Sequence, residues 1–330
     1  MIRVGVIGYG TMGQVHSQAY QELDSAELVA VADQDPKKQK QIHEELEVKA
    51  VSNADEIFQD DSIDLVDICV PTYLHADMIA KAVESGKHIF CEKPLARSLE
   101  QGKKILTLTE RYDKKVGVGH VVRFSPEYVA ARKSILQGEI GRAAVARTFR
   151  GGSQFPQGWQ DWYADFHLSG GVILDLVIHD IDYLRWVFGE IERVYAKSTR
   201  GRTSAKLEHT MIVLRFKNGV IAHVEGSWTN YPGQFYTAFE FSGDEGMISF
   251  DSRKTAPIVQ VSTKQDREIQ GVAVPENPFL VSPYTAEIAD MIDAIKNNRQ
   301  PAVTVRDAFE TLTVALAAVE SAQTGKVISL

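Results

Sequence analysis

Short apolar runs alternate with amphipathic stretches over about the first 120 residues, and this alternation constrains the fold more than any other feature. The apolar runs have the length and composition of buried parallel strands. Strands are predicted at Val4–Ile7, Leu28–Ala32, Ile63–Val70, His88–Cys91 and Val116–Gly119. Helices are predicted at Thr11–Leu23, Pro36–Glu47, Tyr73–Ser85 and Leu99–Arg111. Alternation of this kind implies an α/β fold with a doubly wound parallel sheet.

The pattern changes after about residue 120. Further strands are predicted at Val194–Ser198, Thr210–Phe216, Val220–Gly226, Tyr236–Phe241, Met247–Phe250 and Ile258–Val261. Asn218-Gly219 lies between two of these runs and is typical of a type I′ hairpin turn. Two terminal helices, Pro283–Asn298 and Val305–Ala322, are expected to pack back on the body. We therefore expect two domains, residues 1–120 and 121–330, the second an α+β domain with a large, mostly antiparallel sheet.

The segment from Gly8 to Gly13 has the pattern G-x-G-x-x-G, placed between the first predicted strand and the first predicted helix. In that position the first glycine makes a tight turn and the second lets the backbone approach a pyrophosphate. The third lets the helix pack closely on the strand, and the helix N-terminus offers N–H groups to phosphate. Cofactor contacts are therefore predicted at Gly8, Gly10, Thr11, Met12 and Gly13. A glycine-rich turn without a ligand is the alternative.

Asp33 closes the second predicted strand, where an acidic side chain accepts hydrogen bonds from the adenosine ribose. A carboxylate there repels a 2′-phosphate, and the next residue is Gln34 rather than an arginine. NAD is therefore favoured over NADP. Asp33 can instead cap the next helix, but Asp35-Pro36 suits that role better.

Glu92-Lys93-Pro94 follows a predicted strand at its carboxyl end, the edge where open α/β sheets bind ligands. Pro94 keeps Lys93 out of a helix, so its ammonium can bind a substrate oxygen and stabilise a developing alkoxide. A solvated loop lysine is an equally good reading of these residues. His75, just after Pro71-Thr72, can line the nicotinamide side of the same edge.

A predicted helix from Ser169 onward places Asp175 and His179 four residues apart on one face, with Asp182 on the same side. An imidazole beside a carboxylate suits proton transfer near neutral pH, as oxidation of a carbinol requires. Two alternatives stay open. One is a helix with a structurally satisfied histidine. The other is a metal site of Asp175, His179 and His167, which no H-x-x-x-H or cysteine cluster supports; no metal is predicted.

Composition excludes several classes of partner. The net charge of −8 gives no general attraction for nucleic acid or anionic lipid. No apolar run approaches about 20 residues, and the N-terminus lacks the features of a signal peptide. The two cysteines, Cys69 and Cys91, lie in strand-like runs and are expected as reduced thiols. We therefore expect a cytoplasmic protein with no nucleic-acid or membrane partner.

Taken together, these motifs resemble the Gfo/Idh/MocA family, named after glucose–fructose oxidoreductase, inositol dehydrogenase and a rhizopine catabolism protein. Three blocks carry the resemblance. They are the glycine-rich segment 4–13, the segment from Asp67 through Pro71, His75 and Gly86 to Glu92-Lys93-Pro94-Leu95, and the segment Gly170-Gly171 to Asp175 and His179-Asp180. Beyond about residue 190 the chain fits the family in pattern only.

The resemblance implies a Rossmann domain followed by an α/β domain whose sheet forms a homodimer or homotetramer interface. It implies Lys93, Asp175 and His179 as the catalytic residues, which also bind substrate. Further cofactor contacts are implied at Pro71, Thr72, His75, Glu92 and Lys93, and further substrate contacts at Arg123, Trp162 and Tyr284. Trp159 and Trp162 can stack on a sugar ring or serve as ordinary core residues. Many inositol dehydrogenases carry two arginines where this chain has Val122-Arg123, which disfavours a specific myo-inositol assignment.

The leading hypothesis is an NAD-dependent dehydrogenase that moves a hydride between nicotinamide and a secondary hydroxyl of a sugar, polyol or cyclitol. An NAD-retaining glycosidase is an enzyme alternative, which consumes no net NAD. An NAD-sensing regulator is a non-enzyme alternative, although such a sensor has no use for Lys93, Asp175 and His179 together.

Overall fold

The structure is a computed structural model that describes residues 1–156, 158–200, 207–229, 235–254, 258–262 and 281–330. Contacts within the chain cluster into two compact units. The first comprises Met1–Val121, Gly158–Trp162 and Val281–Leu312; the second comprises Val122–Gln157, Tyr163–Leu280 and Thr313–Leu330. In the part of the chain described, no helix is both long and apolar enough to cross a membrane.

A six-stranded parallel sheet forms the centre of the first unit. Its strands are β1 (Ile2–Ile7), β2 (Ala26–Ala32), β3 (Lys49–Val51), β4 (Leu65–Ile68), β5 (His88–Glu92) and β6 (Val116–Gly119). The helices between them are α1 (Thr11–Gln21), α2 (Pro36–Leu46), α3 (Asp55–Phe58), α4 (His75–Glu84) and α5 (Leu99–Thr109). The strand order β3-β2-β1-β4-β5-β6 is that of a doubly wound dinucleotide-binding sheet, which confirms the predicted fold. The short strand β3 was not predicted.

Among the described residues, the second unit contains a mixed sheet of eight strands. They are β7 (Ala143–Gln154), β8 (Ile191–Arg200), β9 (Glu208–Phe216), β10 (Ile221–Thr229), β11 (Tyr236–Gly243), β12 (Gly246–Asp251), β13 (Ile258–Ser262) and β14 (Ile328–Ser329). The strand order is β13-β12-β11-β7-β10-β9-β8-β14. Among the described strand pairs of this sheet, β7–β10 is parallel and the others are antiparallel. The prediction of a mostly antiparallel sheet is therefore confirmed.

The remaining helices are α6 (Pro126–Leu136), α7 (Phe166–Ser169), α8 (Gly171–Asp175), α9 (Ile178–Phe188), α10 (Pro283–Lys296) and α11 (Val305–Thr324). The hydroxyl of Ser282 caps α10 by accepting from the N–H of Tyr284, and Pro283 fills the first helical position. Although α10 comes late in the sequence, it belongs to the first unit. Its residues Ile288 and Met291 share a core with β1, so this helix completes the parallel-sheet domain.

The loop between β9 and β10 differs from the predicted turn. A type I′ turn needs positive φ at both central residues, whereas Gly219 has a φ of 98° and Asn218 does not lie in the positive region. The N–H of Gly219 donates to the carbonyl of Phe216 at 3.0 Å, and Phe216 also pairs with Val220. The hairpin is therefore present, but with a three-residue loop. The Asn218 amide is used elsewhere, because it donates to the carbonyl of Phe188 at 2.9 Å.

Candidate active site

The glycine-rich turn between β1 and α1 leaves room for a ligand at one position only. A Cβ on Gly13 would lie 1.9 Å from the carbonyl oxygen of Gly8, so the third glycine is required for close packing. Gly8 has a φ of 94°, which favours glycine at the turn itself. A Cβ on Gly10 would meet no described atom within 4 Å. The turn therefore fits a dinucleotide whose pyrophosphate occupies the space above Gly10.

Helix α1 presents a suitable anion site beside this turn. Thr11 is exposed and Met12 partly so. Among the described residues no side chain caps the helix, and its first turn contains no acidic residue. The leading N–H groups and the positive end of the helix dipole are thus available to phosphate oxygens.

Asp33 is held at the end of β2 by two backbone donors. The N–H of Tyr9 donates to Oδ2 at 2.8 Å, and the N–H of Asp35 donates to Oδ1 at 2.9 Å. The carboxylate is therefore fixed beside the glycine-rich turn, and its remaining lone pairs can accept from ribose hydroxyls. Asp35 caps α2 by accepting from the N–H of Lys37 at 2.9 Å, as predicted, which leaves Asp33 for the cofactor.

His75, which was predicted to contact the cofactor, lies between two backbone carbonyls. Its ring is buried, with Nδ1 2.7 Å from the carbonyl oxygen of Pro94 and Nε2 2.9 Å from that of Val70. Burial lowers the pKa of His75, which favours the neutral ring, and a neutral ring donates through only one nitrogen. The neutral His75 ring therefore donates to one of these two carbonyls, next to Pro71 or next to Lys93 in the sequence. Thr72 is also buried, at the start of a short 3₁₀ helix that spans Thr72–Leu74.

Lys93 lies half-buried at the carboxyl end of β5, at the predicted position. The Lys93-Pro94 peptide bond is cis. The preceding residue, Glu92, which was predicted to contact the cofactor, has a buried carboxylate with two contacts inside the protein. Oε2 accepts from the N–H of Lys93 at 3.0 Å, and Oε1 lies 3.1 Å from Nε2 of His16 in α1. Glu92 is therefore part of the interior of this domain.

Asp175 and His179 were predicted to lie on one continuous helix, but the structure places them on two. Asp175 ends α8, and His179 lies in the first turn of α9. The interruption falls at Leu176-Val177, where the N–H of Val177 donates five residues back to the carbonyl of Val172 at 3.0 Å. Val177 packs on Gly226 of β10, where a Cβ would lie 2.1 Å from its Cγ1. Both Asp175 and His179 remain partly exposed.

Two buried ion pairs involve residues of α9 that come one and three positions after His179. Nε and Nη2 of Arg123 donate to the two carboxylate oxygens of Asp182, each at 2.7 Å. Nε of Arg150 on β7 donates to Asp180 at 2.7 Å. Arg123 was predicted to bind substrate, whereas the structure commits two of its five N–H donors to Asp182. The Arg150–Asp180 pair was not predicted, since no local signal joins a strand residue to a helix 30 positions away.

The aromatic residues predicted near the substrate lie in the first unit. Trp162 is buried and meets Tyr73 edge to face, with ring centroids 6.5 Å apart. Trp159 is 44% exposed. Tyr284 opens α10 and is half-buried, with its ring centroid 6.3 Å from that of His16. This contact places Tyr284 beside α1.

A cluster of buried titratable side chains was missed by the sequence prediction. It comprises His16 on α1, Asp67 on β4, Cys69, Glu92 and Glu287 on α10. Among the described residues, donor groups close enough to share a metal ion occur within this cluster and not around Asp175, His179 and His167. The spacing of apolar residues in the predicted strands and helices is consistent with burial of these residues. That spacing does not predict that four elements bring them into contact.

Comparison with known proteins identifies the family. Residues 2–120 match the NAD-binding Rossmann-fold domain of the Gfo/Idh/MocA oxidoreductase family, and residues 128–249 match the family's C-terminal domain. The chain is 30% identical over 341 residues to scyllo-inositol 2-dehydrogenase (NAD(+)) of Bacillus subtilis (strain 168), with 100% of this chain and 96% of that protein covered. It is also 30% identical over 341 residues to inositol 2-dehydrogenase of Rhizobium meliloti (strain 1021), covering 100% and 99%.

A solved structure of levoglucosan dehydrogenase in complex with NADH and levoglucosan superposes with a TM-score of 0.89 at 25% identity, covering 99% of each chain. The parallel sheet and the mixed sheet described above correspond to the two matched domains. The chain belongs to the Gfo/Idh/MocA family of NAD-dependent oxidoreductases.

Proposed function

We propose that this protein is an NAD-dependent dehydrogenase that oxidises a secondary hydroxyl of a cyclitol or a cyclic sugar. The observation that carries the proposal is the dinucleotide cradle, in which Gly10 leaves space for a pyrophosphate and Asp33 is fixed for the ribose. The relatives described above act, by their names, on inositols and levoglucosan, which are polyhydroxylated rings. They are dehydrogenases, so they favour this function over the glycosidase and regulator alternatives.

We assign the chemistry to three residues on the basis of family resemblance and residue chemistry. NAD, when bound, supplies the acceptor for the hydride. His179 accepts the hydroxyl proton, and Asp175 holds its ring. The ammonium of Lys93 binds the reacting oxygen and stabilises the negative charge that develops there. Residues 1–120 serve mainly to bind NAD, and residues 121–330 serve substrate binding and oligomerisation.

The direct test is a screen for NAD reduction across inositols, anhydrosugars, hexoses, uronates and nucleotide sugars. With a substrate in hand, His179→Ala should lower kcat by about 10²–10⁴-fold, the usual contribution of a general base. The affinity for NAD should stay the same, because the phosphate cradle is built from other residues. Lys93→Ala should damage both kcat and KM, and Lys93→Arg should not restore them, because a planar guanidinium presents its donors differently.

Two results would overturn these assignments. Near-normal kcat in His179→Ala, with an inactive Lys93→Ala, would remove His179 as the base. Cleavage of glycosides without net NADH formation would replace the dehydrogenase with a glycosidase.

We also propose that the eight-stranded sheet forms a homodimer or homotetramer interface. Met211 and Val213 on β9 and Ile221 on β10 are 47%, 42% and 44% exposed. Cross-strand pairing of Val213 with His223 and of Arg215 with Ile221 puts these side chains on one face. An apolar patch on a sheet face fits a second copy of the same face. Light scattering should give a dimer or tetramer mass, and Val213→Glu should shift it towards the monomer; a monomeric unmutated protein would refute the interface.

The remaining proposals concern cellular context. The two cysteines are unpaired with each other, and Cys91 is buried, as expected in a reducing cytoplasm. We propose a cytoplasmic enzyme whose partners are NAD, a small polyhydroxylated substrate and its own copies.

A further inference from the structure

The buried cluster contains a chain of charges that runs from the middle of the parallel sheet to the backbone of Lys93. In α1, Nδ1 of His16 lies 2.9 Å from Oδ2 of Asp67. On its other side, Nε2 lies 3.1 Å from Oε1 of Glu92, an ion pair rather than an aligned hydrogen bond. The second oxygen of Glu92 accepts the N–H of Lys93 at 3.0 Å. The side chains of His16 and Asp67 are fully buried, and that of Glu92 is 7% exposed.

The charge states follow from the contacts. Asp67 accepts hydrogen bonds from Tyr20 at 2.9 Å and from the thiol of Cys69 at 3.4 Å, so it is placed as an acceptor. Burial acts to lower the pKa of His16, but contacts with Cys69 and Asp67 outweigh it and hold that pKa well above its usual value. Burial also opposes ionisation of Glu92, but His16 and then Lys93 outweigh it and lower the pKa of Glu92. A protonated His16 ring therefore faces the carboxylate of Glu92 on one side and the acceptor oxygen of Asp67 on the other.

Glu287 completes the cluster from α10 as a neutral acid. One of its oxygens lies within 4.8 Å of both a His16 nitrogen and a Glu92 oxygen. Burial, and then the charge of Glu92, raise the pKa of Glu287 well above its usual value. Neither oxygen accepts a hydrogen bond from a described residue, which fits a carboxylic acid better than a buried carboxylate. Lys93 supplies a further positive charge near Glu92.

We propose that Glu92 and His16 are positioning residues for Lys93. The two-point hold on Glu92, from His16 on one oxygen and the Lys93 N–H on the other, fixes the peptide that carries the lysine. A fixed peptide limits where the ammonium can lie, and a displacement of about 1 Å at a reacting group can cost about 10²-fold in rate. The proposal rests on the function of Lys93 proposed above. It gives these interior residues a part in turnover beyond stability.

The first experiment compares Glu92→Ala, Glu92→Gln and His16→Gln, with scyllo-inositol and levoglucosan as substrates. Glu92→Ala should lower kcat/KM by about 10²-fold at unchanged NADH affinity. Glu92→Gln should lose less, because its amide oxygen can still accept from the Lys93 N–H. The matched control is Tyr112→Phe, which removes a hydrogen bond to Lys87 at the opposite end of β5. The control should lower Tm and leave kcat/KM unchanged. A parallel loss of Tm and NADH affinity in the Glu92 variants, at unchanged kcat, would overturn the proposal.

A double-mutant cycle separates this proposal from the proposed function. If Glu92 acts through Lys93, Glu92→Gln should cost almost nothing further in a Lys93→Ala background. Additive losses would overturn the positioning role while leaving Lys93 catalytic. Full activity of Lys93→Ala would instead refute the proposed function.

A second readout needs no turnover. Reductive methylation of lysines with formaldehyde, followed by mass spectrometry, should show faster labelling of Lys93 in Glu92→Ala than in the unmutated protein or in Tyr112→Phe. Equal labelling would count against the hold on Lys93. Metal analysis of the purified protein should find no stoichiometric divalent ion. One equivalent of metal that is lost in His16→Gln would make the cluster a metal site and overturn the proposal.

Discussion

Arg123 and Asp182 form a bidentate ion pair in which both nitrogen–oxygen distances are 2.7 Å and both side chains are buried. Arg123 also lies over the ring of Trp186, 5.6 Å from its centroid. Because Asp182 lies three residues after His179, the pair anchors the helix that carries the proposed base.

Removing one partner of this pair should be costly. Asp182→Ala leaves a buried guanidinium without its carboxylate, and we expect a loss of about 3–5 kcal/mol in the free energy of unfolding. Glu27→Ala is the matched control, since the Arg3–Glu27 pair is 38% and 46% exposed. That control should cost about 0–1 kcal/mol. Urea denaturation of the two variants measures the difference. Equal losses would show that burial does not determine how much the Arg123–Asp182 pair contributes to the free energy of unfolding.

Gly10 and Gly13 should respond oppositely to alanine. The Cβ of Gly13→Ala meets the Gly8 carbonyl, so we expect a loss of about 1–3 kcal/mol in stability. The Cβ of Gly10→Ala meets no described atom, so stability should change by less than about 1 kcal/mol. The same methyl group should crowd the pyrophosphate and weaken NADH binding by about 10-fold or more. Thermal melts and NADH fluorescence titrations test both, and normal NADH affinity in Gly10→Ala would contradict the assigned cradle.

Asp33→Ala should weaken NAD binding and reduce the preference for NAD over NADP. A hydrogen bond to a charged group contributes about 1.5–3 kcal/mol, so the dissociation constant for NAD should rise by about 10-fold or more. Asp35→Ala is the control, because Asp35 caps α2 and should cost only about 1 kcal/mol of stability. Equal affinity of the unmutated protein for NAD and NADP would refute the role of Asp33.

The buried cluster predicts a protein that loses stability as pH rises. The pKa values of His16 and Glu287 are raised in the fold, so their contributions are complete below the ordinary values of 6.5 and 4.5 and are lost as pH rises through the folded values. The lowered pKa of Glu92 acts in the opposite sense, with a contribution lost as pH falls. Asp67 and Cys69 face His16, and Asp290 faces Glu287.

We therefore expect the free energy of unfolding to fall as pH rises above about 6.5, by up to about 1.4 kcal/mol per pH unit for each proton released. Glu287→Gln cannot release its proton, so its slope should be shallower. Glu44→Gln on the exposed side of α2 should leave the slope unchanged. Denaturation curves at several pH values measure these slopes, and identical slopes for Glu287→Gln and the unmutated protein would place a carboxylate, not an acid, in the cluster.

The dinucleotide cradle was predictable because its signals are local. The glycine spacing, the strand before it and Asp33 lie within one short stretch, and the structure keeps each in the predicted place. Asp35 was likewise predicted as a helix cap from its position before Pro36, and it accepts from the N–H of Lys37.

The departures arise where distant residues meet. The break between Asp175 and His179 depends on Val177 packing against Gly226, which lies on a strand of the mixed sheet. The committed guanidinium of Arg123 depends on Asp182, 59 residues later. The inward turn of Glu92 depends on His16 from the first helix. No local sequence pattern predicts these contacts, because the partners can be identified only once the topology of the fold is known.

The late position of α10 has a consequence for biosynthesis. Its residues Ile288, Met291 and Ile292 share a core with Val4 and Tyr20, which leave the ribosome nearly three hundred residues earlier. Until α10 is translated, the apolar surface that it covers stays exposed. The His16–Glu92 pair likewise lacks its neighbour Glu287 until then. The nascent domain is therefore complete only after α10 has been translated. A chain that stops before residue 281 exposes this apolar surface and is therefore prone to aggregate unless a chaperone binds it.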